Sequence, residues 1–388
     1  RTVGEGMKKF IARLLTFLIF NRNKRRYFRN YLMHLNIQDF CNLYKFLKMK
    51  TRKNSVLLVE VNNTHGEVIG GYLKYFQDIG YNVDILVNPI IVKENPFCRL
   101  DISNVFVFMS DFSLMKFFLA SRKFYEYKHI ILMSSAAYFY CVNGMYMSVL
   151  NYYPQLRKHH SLFIVEHDLN DINRFNERSF CKQKHLITLG HFPQTVFASP
   201  LLFGSINITQ KGKKTVFICV GGIQQERKDH QKLISAIKEL VALKQNFKVV
   251  VVGKGKLENL PEEIRSYIEI TGRLNFSEMF RYMEEADFYL PLLNPENFEH
   301  NRYITTGVTG SAQLIYAFGK IPVIHPHFAP FYGFDNENAI ISKDLTKGMQ
   351  EAITIDQQGY KKKQIFLMQL FERLKMESLN NFKEILSQ

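Results

Sequence analysis

The run Val216-Phe217-Ile218-Cys219-Val220 contains no polar side chain and stops at Gly221-Gly222. An apolar run that ends in glycine and does not alternate with polar positions reads as a strand buried on both faces, as in a parallel sheet. The pattern then repeats. Arg227-Lys228 precedes a helix with Leu233, Ile234, Ile237 and Leu240 on one face, the spacing of an amphipathic helix. Phe247 to Val252 is the next strand, closed by Gly253-Lys254-Gly255. Further on come Thr271-Gly272-Arg273, a helix from Ser277 to Glu285, and Ala286-Asp287-Phe288-Tyr289-Leu290-Pro291. Thr309-Gly310-Ser311 opens another helix, and Gly319-Lys320-Ile321-Pro322-Val323-Ile324 ends the series. Parallel neighbours need a long crossover, usually a helix, so this rhythm predicts an α/β doubly wound sheet.

The preceding half has the same rhythm. Val56 to Val61 reads as a continuous apolar run, as a buried parallel strand should, and Asn62-Asn63-Thr64-His65-Gly66-Glu67 follows it. Val68, Ile69, Tyr72, Leu73, Tyr75, Phe76 and Ile79 then recur at helical spacing, with Gly80 as a C-terminal stop. Further strands are expected at Val83–Val87, Val105–Met109, His129–Met133, Leu162–Val165 and His185–Leu189. Helical patterns lie between them at Phe112–Tyr125 and around Met145–Tyr152. Pro193, Pro200, Gly204 and Gly212 mark a linker. The division expected is a basic helical leader at 7–53, an N-terminal Rossmann-like domain at 54–190, a linker at 191–214, a C-terminal Rossmann-like domain at 215–345, and C-terminal helices at 346–388. Residues 1–6, ahead of Met7, read as a vector-derived remnant and are left out of the fold argument.

Charge is unevenly placed. Residues 1–53 hold 14 Lys and Arg against Glu5 and Asp39, so +12 of the chain's +16 lies there. With Phe10, Ile11, Leu14, Leu15, Phe17, Leu18, Ile19 and Phe20 among these cations, the segment can lie on an anionic leaflet, apolar side chains down. The plainer alternative is a helix packed on the body with a basic outer face. Nucleic-acid binding through Arg22 to Arg29 is not expected, since no nucleic-acid module follows. No apolar stretch reaches the roughly 18–20 residues of a spanning helix. The five cysteines are scattered with no CxxC pair, which indicates neither zinc nor a disulfide framework. Together these imply a cytoplasmic protein, peripheral on the inner face of the membrane. The composition, rich in Lys, Asn, Ile and Phe without Trp, points to an AT-rich bacterial genome.

The order of segments in 216–326 resembles the donor-binding domain of GT-B glycosyltransferases, and the resemblance extends over roughly 55–345. It looks most like the divergent bacterial surface-glycan or lipopolysaccharide type, with a C-terminal domain similar to glycosyltransferase family 4. The resemblance implies two Rossmann-like domains facing a central cleft, a nucleotide-sugar donor and no separate cofactor. It also implies a lipid-linked glycan or lipopolysaccharide acceptor, and a C-terminal helix crossing back to the first domain. A diphosphate needs backbone N–H groups and cations. Gly221, Gly222 and Gly253 would let the backbone approach it, Arg227 or Lys228 would pair with it, and Thr309, Gly310 and Ser311 would offer N–H groups and hydroxyls. The large retaining group places two Glu with seven residues between them; those positions are Thr306 and Leu314 here. Glu299 and Tyr303 are the remaining candidates for ribose and sugar contacts.

Ligands of open α/β sheets sit at strand carboxyl ends, where His65-Gly66-Glu67 follows the first strand. Glu67, with His65 beside it, is the favoured base for an acceptor hydroxyl. His167 and Asp168, within Glu166-His167-Asp168, are a second candidate. Metal catalysis is not expected; His325 and His327 lack a third ligand. Two rivals keep the fold: a nucleotide-sugar epimerase, and a degenerate domain that only binds glycan or a partner, which the loss of both carboxylates would favour.

Overall fold

The computed structural model describes residues 9–10, 12–22, 25–26, 29, 37–60, 62, 65–110, 117–133, 138–140, 146–148, 159, 161–170, 186–224, 227–257 and 260–387. Two parallel sheets organise them. The first has seven strands in the order Phe106–Met109, Asn82–Val87, Ser55–Glu60, His129–Leu132, Leu162–Glu166, Leu186–Thr188, Val196–Phe197. The second has six, in the order Ile268–Gly272, Phe247–Val252, Thr215–Val220, Phe288–Tyr289, Ile321–Ile324, Ile340–Ile341. The expected pair of Rossmann-like, doubly wound α/β domains is therefore present.

Every residue of Ser55–Glu60 is buried, because helices cover both faces of the sheet. On one face Val56 and Leu58 pack under Tyr72, Tyr75 and Phe76 of the helix Gly66–Asp78. On the other, Leu57 and Val59 share a core with Phe46, Phe118 and Phe124. Phe46 belongs to the helix Ile37–Lys48, within the stretch expected to be leader, and its ring meets Phe108 edge-on at 5.1 Å. That part of the basic segment is thus part of the first domain; its apolar side chains fill a sheet face that would otherwise be wet.

The stretch expected as linker also contributes structure. Val196–Phe197 adds a parallel strand beside Leu186–Thr188, short enough to sit between Pro193 and Pro200. Around Met145–Tyr152 the expected helix is replaced over Tyr146–Ser148 by a strand antiparallel to Tyr138–Tyr140; pairing with a neighbouring segment overrides a weak helical spacing. The rest of that stretch lies outside the described residues, as do 112–116 of the expected helix Phe112–Tyr125. Residues 117–120 of it are helical, and Arg122–Glu126 is a 3₁₀ turn.

The chain ends in one helix of 30 residues, Gln357–Leu386, where sequence spacing suggested two. Asp356 caps it, accepting from the Gly359 N–H at 2.7 Å. Tyr360 lies in the second domain's core and donates to the Asp287 carbonyl at 3.1 Å. Six turns later Phe382 is fully buried against Tyr72, Tyr75 and Phe76 of the first domain, ring centroids 5.0, 5.8 and 4.8 Å away. This helix is the crossing element. A second tie is bidentate: Arg99 of the first domain meets Glu284 of the second at 2.5 and 2.8 Å.

Candidate active site

In each sheet the chain winds outward from one strand and then returns to that strand's other side. This creates a topological switch point, the crevice where open α/β sheets hold ligands. In the first sheet it lies between Ser55–Glu60 and His129–Leu132; in the second, between Thr215–Val220 and Phe288–Tyr289. A side chain ties two strand ends together beside the first crevice and across the second. His167 Nε2 lies 3.1 Å from the Met133 carbonyl, and Lys228 Nζ donates to the Pro291 carbonyl at 3.1 Å.

The first crevice holds a titratable cluster. His65 has a left-handed backbone at φ 63°, immediately before the helix Gly66–Asp78. Its Nδ1 stands 3.6 Å from Glu67 Oε1, and its ring stacks on His167 at 3.9 Å between centroids. Burial opposes protonation of His65, but Glu67, Glu60 and Glu166 together raise its pKa above the ordinary value. Burial, reinforced by the charge of His65, holds His167 well below that value. The two rings are thus driven in opposite directions, the carboxylates favouring a proton on His65 and burial opposing one on His167. Neutral His167 donates Nε2–H to Met133, so its Nδ1 carries a lone pair.

Glu60, not expected as a site residue, closes the floor. It is fully buried. One carboxyl oxygen accepts from the Asn62 N–H at 2.7 Å, and the other is buried with no hydrogen-bond partner among the described residues. Burial pushes its pKa up to about 8, against the pull of His65 and Asn62. The available signal was a carboxylate ending an otherwise apolar strand, hidden inside a run read as hydrophobic. Glu166 Oε1 accepts from the N–H groups of His167 and Asp168 at 2.8 and 3.2 Å, fixing the loop that carries both.

The second crevice is built on glycine. A Cβ on Gly253 would stand 1.7 Å from the Gly221 carbonyl, so the two strand-end turns touch backbone to backbone. Gly221 has φ 134°, a conformation that side chains disfavour. Gly222 is open: a Cβ there would meet nothing closer than 4.0 Å. The expected cationic pair is divided. Arg227 is exposed beside Gly222, whereas Lys228 is buried under Gly221. Thr309 and Ser311 are buried, their hydroxyls 2.9 Å apart, while Gly310 is exposed before the helix Ala312–Phe318. Glu299 is exposed on a 3₁₀ turn. Tyr303 is largely buried; its hydroxyl accepts from Arg302 at 3.0 Å, and the guanidinium lies over its ring at 4.8 Å.

The two crevices are joined. Asp168 forms an antiparallel bridge with Gly307, and Leu169 donates to the Thr306 carbonyl at 2.7 Å. Thr306 Oγ1 accepts from Asn170 at 3.1 Å. Of the two positions where carboxylates are missing, Thr306 is thus a domain bridge and Leu314 is core. Arg302, missed as a site residue, is half-buried within the electrostatic reach of Asp168 and Glu299, and one guanidinium nitrogen is buried without a partner among the described residues. His327 Nε2 lies 3.2 Å from Asn301 Oδ1, next to Arg302. The His327 N–H donates to His325 Nδ1 at 3.1 Å, and among the described residues no three His, Cys, Asp or Glu converge as metal ligands.

Residues 214–314 match the family model described as Glycosyl transferases group 1. No curated protein sequence matches the chain. Among solved structures, a glycosyltransferase from Rickettsia africae ESF-5 aligns with a TM-score of 0.55 at 13% identity, over 87% of this chain and 98% of that one. AviGT4, a glycosyltransferase involved in avilamycin A biosynthesis, aligns with a TM-score of 0.48 at 9% identity, over 86% and 98%. At such identity the Rickettsia likeness is one of fold, that of GT-B glycosyltransferases. With the family match it supports a GT-B glycosyltransferase.

Proposed function

We propose that the protein is a hexosyltransferase that moves a sugar from a nucleotide-sugar donor to a lipid-linked glycan, lipopolysaccharide or surface-polysaccharide acceptor at the cytoplasmic face of a bacterial membrane. One observation carries the reading: two switch-point crevices, one glycine-built and cationic, one lined with His and Glu, joined at Asp168–Gly307. The donor diphosphate sits at Gly221, Gly222 and Gly253, with Arg227 free to reach it. Glu299 and Tyr303 contact the ribose or sugar. Lys228 turns from the Pro291 carbonyl toward the anion, and Thr309, Gly310 and Ser311 add N–H and hydroxyl donors.

On the opposite wall Glu67 takes the acceptor's hydroxyl proton as that oxygen bonds to the anomeric carbon. The nucleoside diphosphate leaves with the electrons of the broken bond. His65 stands beside Glu67 and orients it, and His167 holds His65 in place. Cations and backbone dipoles stabilise the leaving group, so no metal is invoked. Asp168 fixes the distance between the walls.

The membrane part rests on the N-terminal segment. Phe10, Leu14, Leu15, Phe17, Leu18 and Phe20 are 61–93% exposed beside Lys9, Arg13 and Arg22. Among the described residues no helix is long and apolar enough to cross a membrane, so a surface-lying mode is the one argued. Calorimetric titration with nucleoside diphosphates and nucleotide sugars tests the reading. Micromolar binding of one nucleotide is expected; no binding by folded protein would shift the reading to a glycan- or partner-binding module.

A further inference from the structure

The segment 302–311, which carries the joint to the first domain, is closed by a side chain from elsewhere in the chain. Tyr332 ends the 3₁₀ turn Ala329–Tyr332 and is buried. Its hydroxyl donates to the Tyr303 carbonyl at 2.8 Å and accepts from the Thr309 N–H at 3.2 Å. One proton and one lone pair thus bridge two main-chain groups on either side of a loop. Tyr303 and Thr309 are themselves buried, and buried main-chain polar groups need such a partner. Burial also holds the Tyr332 pKa above the ordinary phenol value, which keeps the proton that the bond to Tyr303 requires.

The grip is mutual. Tyr316, in the helix Ala312–Phe318, donates to the Tyr332 carbonyl at 2.8 Å. Tyr332 is therefore held by the same stretch of chain that it closes. Between the two bridged groups lie Thr306 and Gly307, which meet Leu169 and Asp168 of the first domain. At the ends lie Tyr303 and Thr309-Gly310-Ser311, the residues assigned above to the donor. The Thr309 N–H is taken by Tyr332, so what Thr309 has to offer a ligand is its hydroxyl.

We propose, on the transferase reading above, that Tyr332 is a positioning residue of the reaction: its hydroxyl closes the loop 303–309 and so couples the donor contacts to the Asp168–Gly307 joint. Tyr332 itself touches no substrate in this role. Without the hydroxyl, the Tyr303 carbonyl and the Thr309 N–H lose their partner, and the loop relaxes until they find another. A misplacement of about 1 Å can cost on the order of 10²-fold in rate.

The test compares Tyr332→Phe with Tyr360→Phe in the full chain. Tyr360 likewise donates a buried hydroxyl to a carbonyl of the second domain, that of Asp287, but at the amino end of a strand, away from the crevice. The diphosphates of uridine, guanosine, cytidine and thymidine are titrated by calorimetry, and Tm and hydrogen exchange are followed. Both variants should lose some Tm. Only Tyr332→Phe should weaken the diphosphate that the parent binds, by tenfold or more, and speed exchange at Leu169, whose N–H meets Thr306. Unchanged affinity in folded Tyr332→Phe overturns the proposal, as does an equal loss in Tyr360→Phe. Should Tyr332→Phe not fold, the parent decides: bound diphosphate should slow exchange across 303–309 and at Leu169 together, and exchange at Leu169 that ignores the ligand overturns the coupling. No binding of any diphosphate by the folded parent removes the transferase reading and this role with it; binding that Tyr332→Phe leaves intact removes this role alone.

Discussion

The rings of His65 and His167 stack with centroids 3.9 Å apart and planes tilted by 33°, although 101 residues separate them and they sit on different strand ends. Surrounding carboxylates raise the pKa of the first against its burial, and burial and the first ring's charge lower that of the second. The contact concentrates the pH sensitivity of the first domain in a few side chains.

Glu60 should dominate the stability part of that sensitivity. Its pKa rises from 4.5 to about 8 on folding, so the folded state holds a proton that the unfolded state releases. The stability it contributes is full below pH 4.5 and is lost as pH rises to about 8. The shift corresponds to a few kcal/mol, to order of magnitude. Glu60→Gln should flatten the dependence of Tm on pH in this window and raise Tm at pH 8. An unchanged slope would show that Glu60 is solvated.

Glu67→Gln removes the proposed base and keeps its shape. Turnover should fall by roughly 10²–10⁴-fold, with nucleotide affinity and Tm near those of the parent. His167→Asn should break the stack and shift the pH–rate profile. A rate unaffected by Glu67→Gln would move the role of base to His167, whose Nδ1 is free to accept.

The glycine turns make a paired prediction. Gly253→Ala places a Cβ 1.7 Å from the Gly221 carbonyl, and overpacking of this kind costs about 1–3 kcal/mol or more. A large fall in Tm is expected. Gly222→Ala meets nothing within 4.0 Å and should leave Tm unchanged, yet weaken nucleotide binding where phosphate approaches the backbone. Arg227→Ala should weaken the same binding on the order of tenfold, again at constant Tm. Nucleotide affinity that Gly222→Ala and Arg227→Ala leave untouched would place the donor elsewhere.

Phe17→Ser with Phe20→Ser removes two side chains that are 75% and 93% exposed, so the fold should be unaffected. Sedimentation with vesicles of phosphatidylcholine and phosphatidylserine should drop several-fold, and 0.5 M salt, at about that screening strength, should weaken the remainder. Equal sedimentation of parent and variant would refute the surface-lying mode.

Much of this was legible in the chain because it depends on neighbours in sequence. Buried parallel strands read as apolar runs, so Phe247–Val252 was placed to the residue and Thr215–Val220 to within one. The glycines at strand ends were equally visible, since a tight turn after a strand demands them locally. Less local matters were hidden. Glu60 looked like the end of an apolar run. Arg227 and Lys228 looked equivalent, and only packing against Gly221 buries one while exposing the other.

What the sequence by itself determined is the fold and the strand ends at which chemistry can occur, because hydrophobic period and turn residues act over a few positions. The tertiary structure decided the rest. It selected the helix Gln357–Leu386 as the crossing element by burying Phe382 in the other domain. It joined Asp168 to Gly307 and stacked His65 on His167. Each of these needs two distant segments at one point. The free energy that brings them there is summed over whole cores, and no short window of the chain contains it.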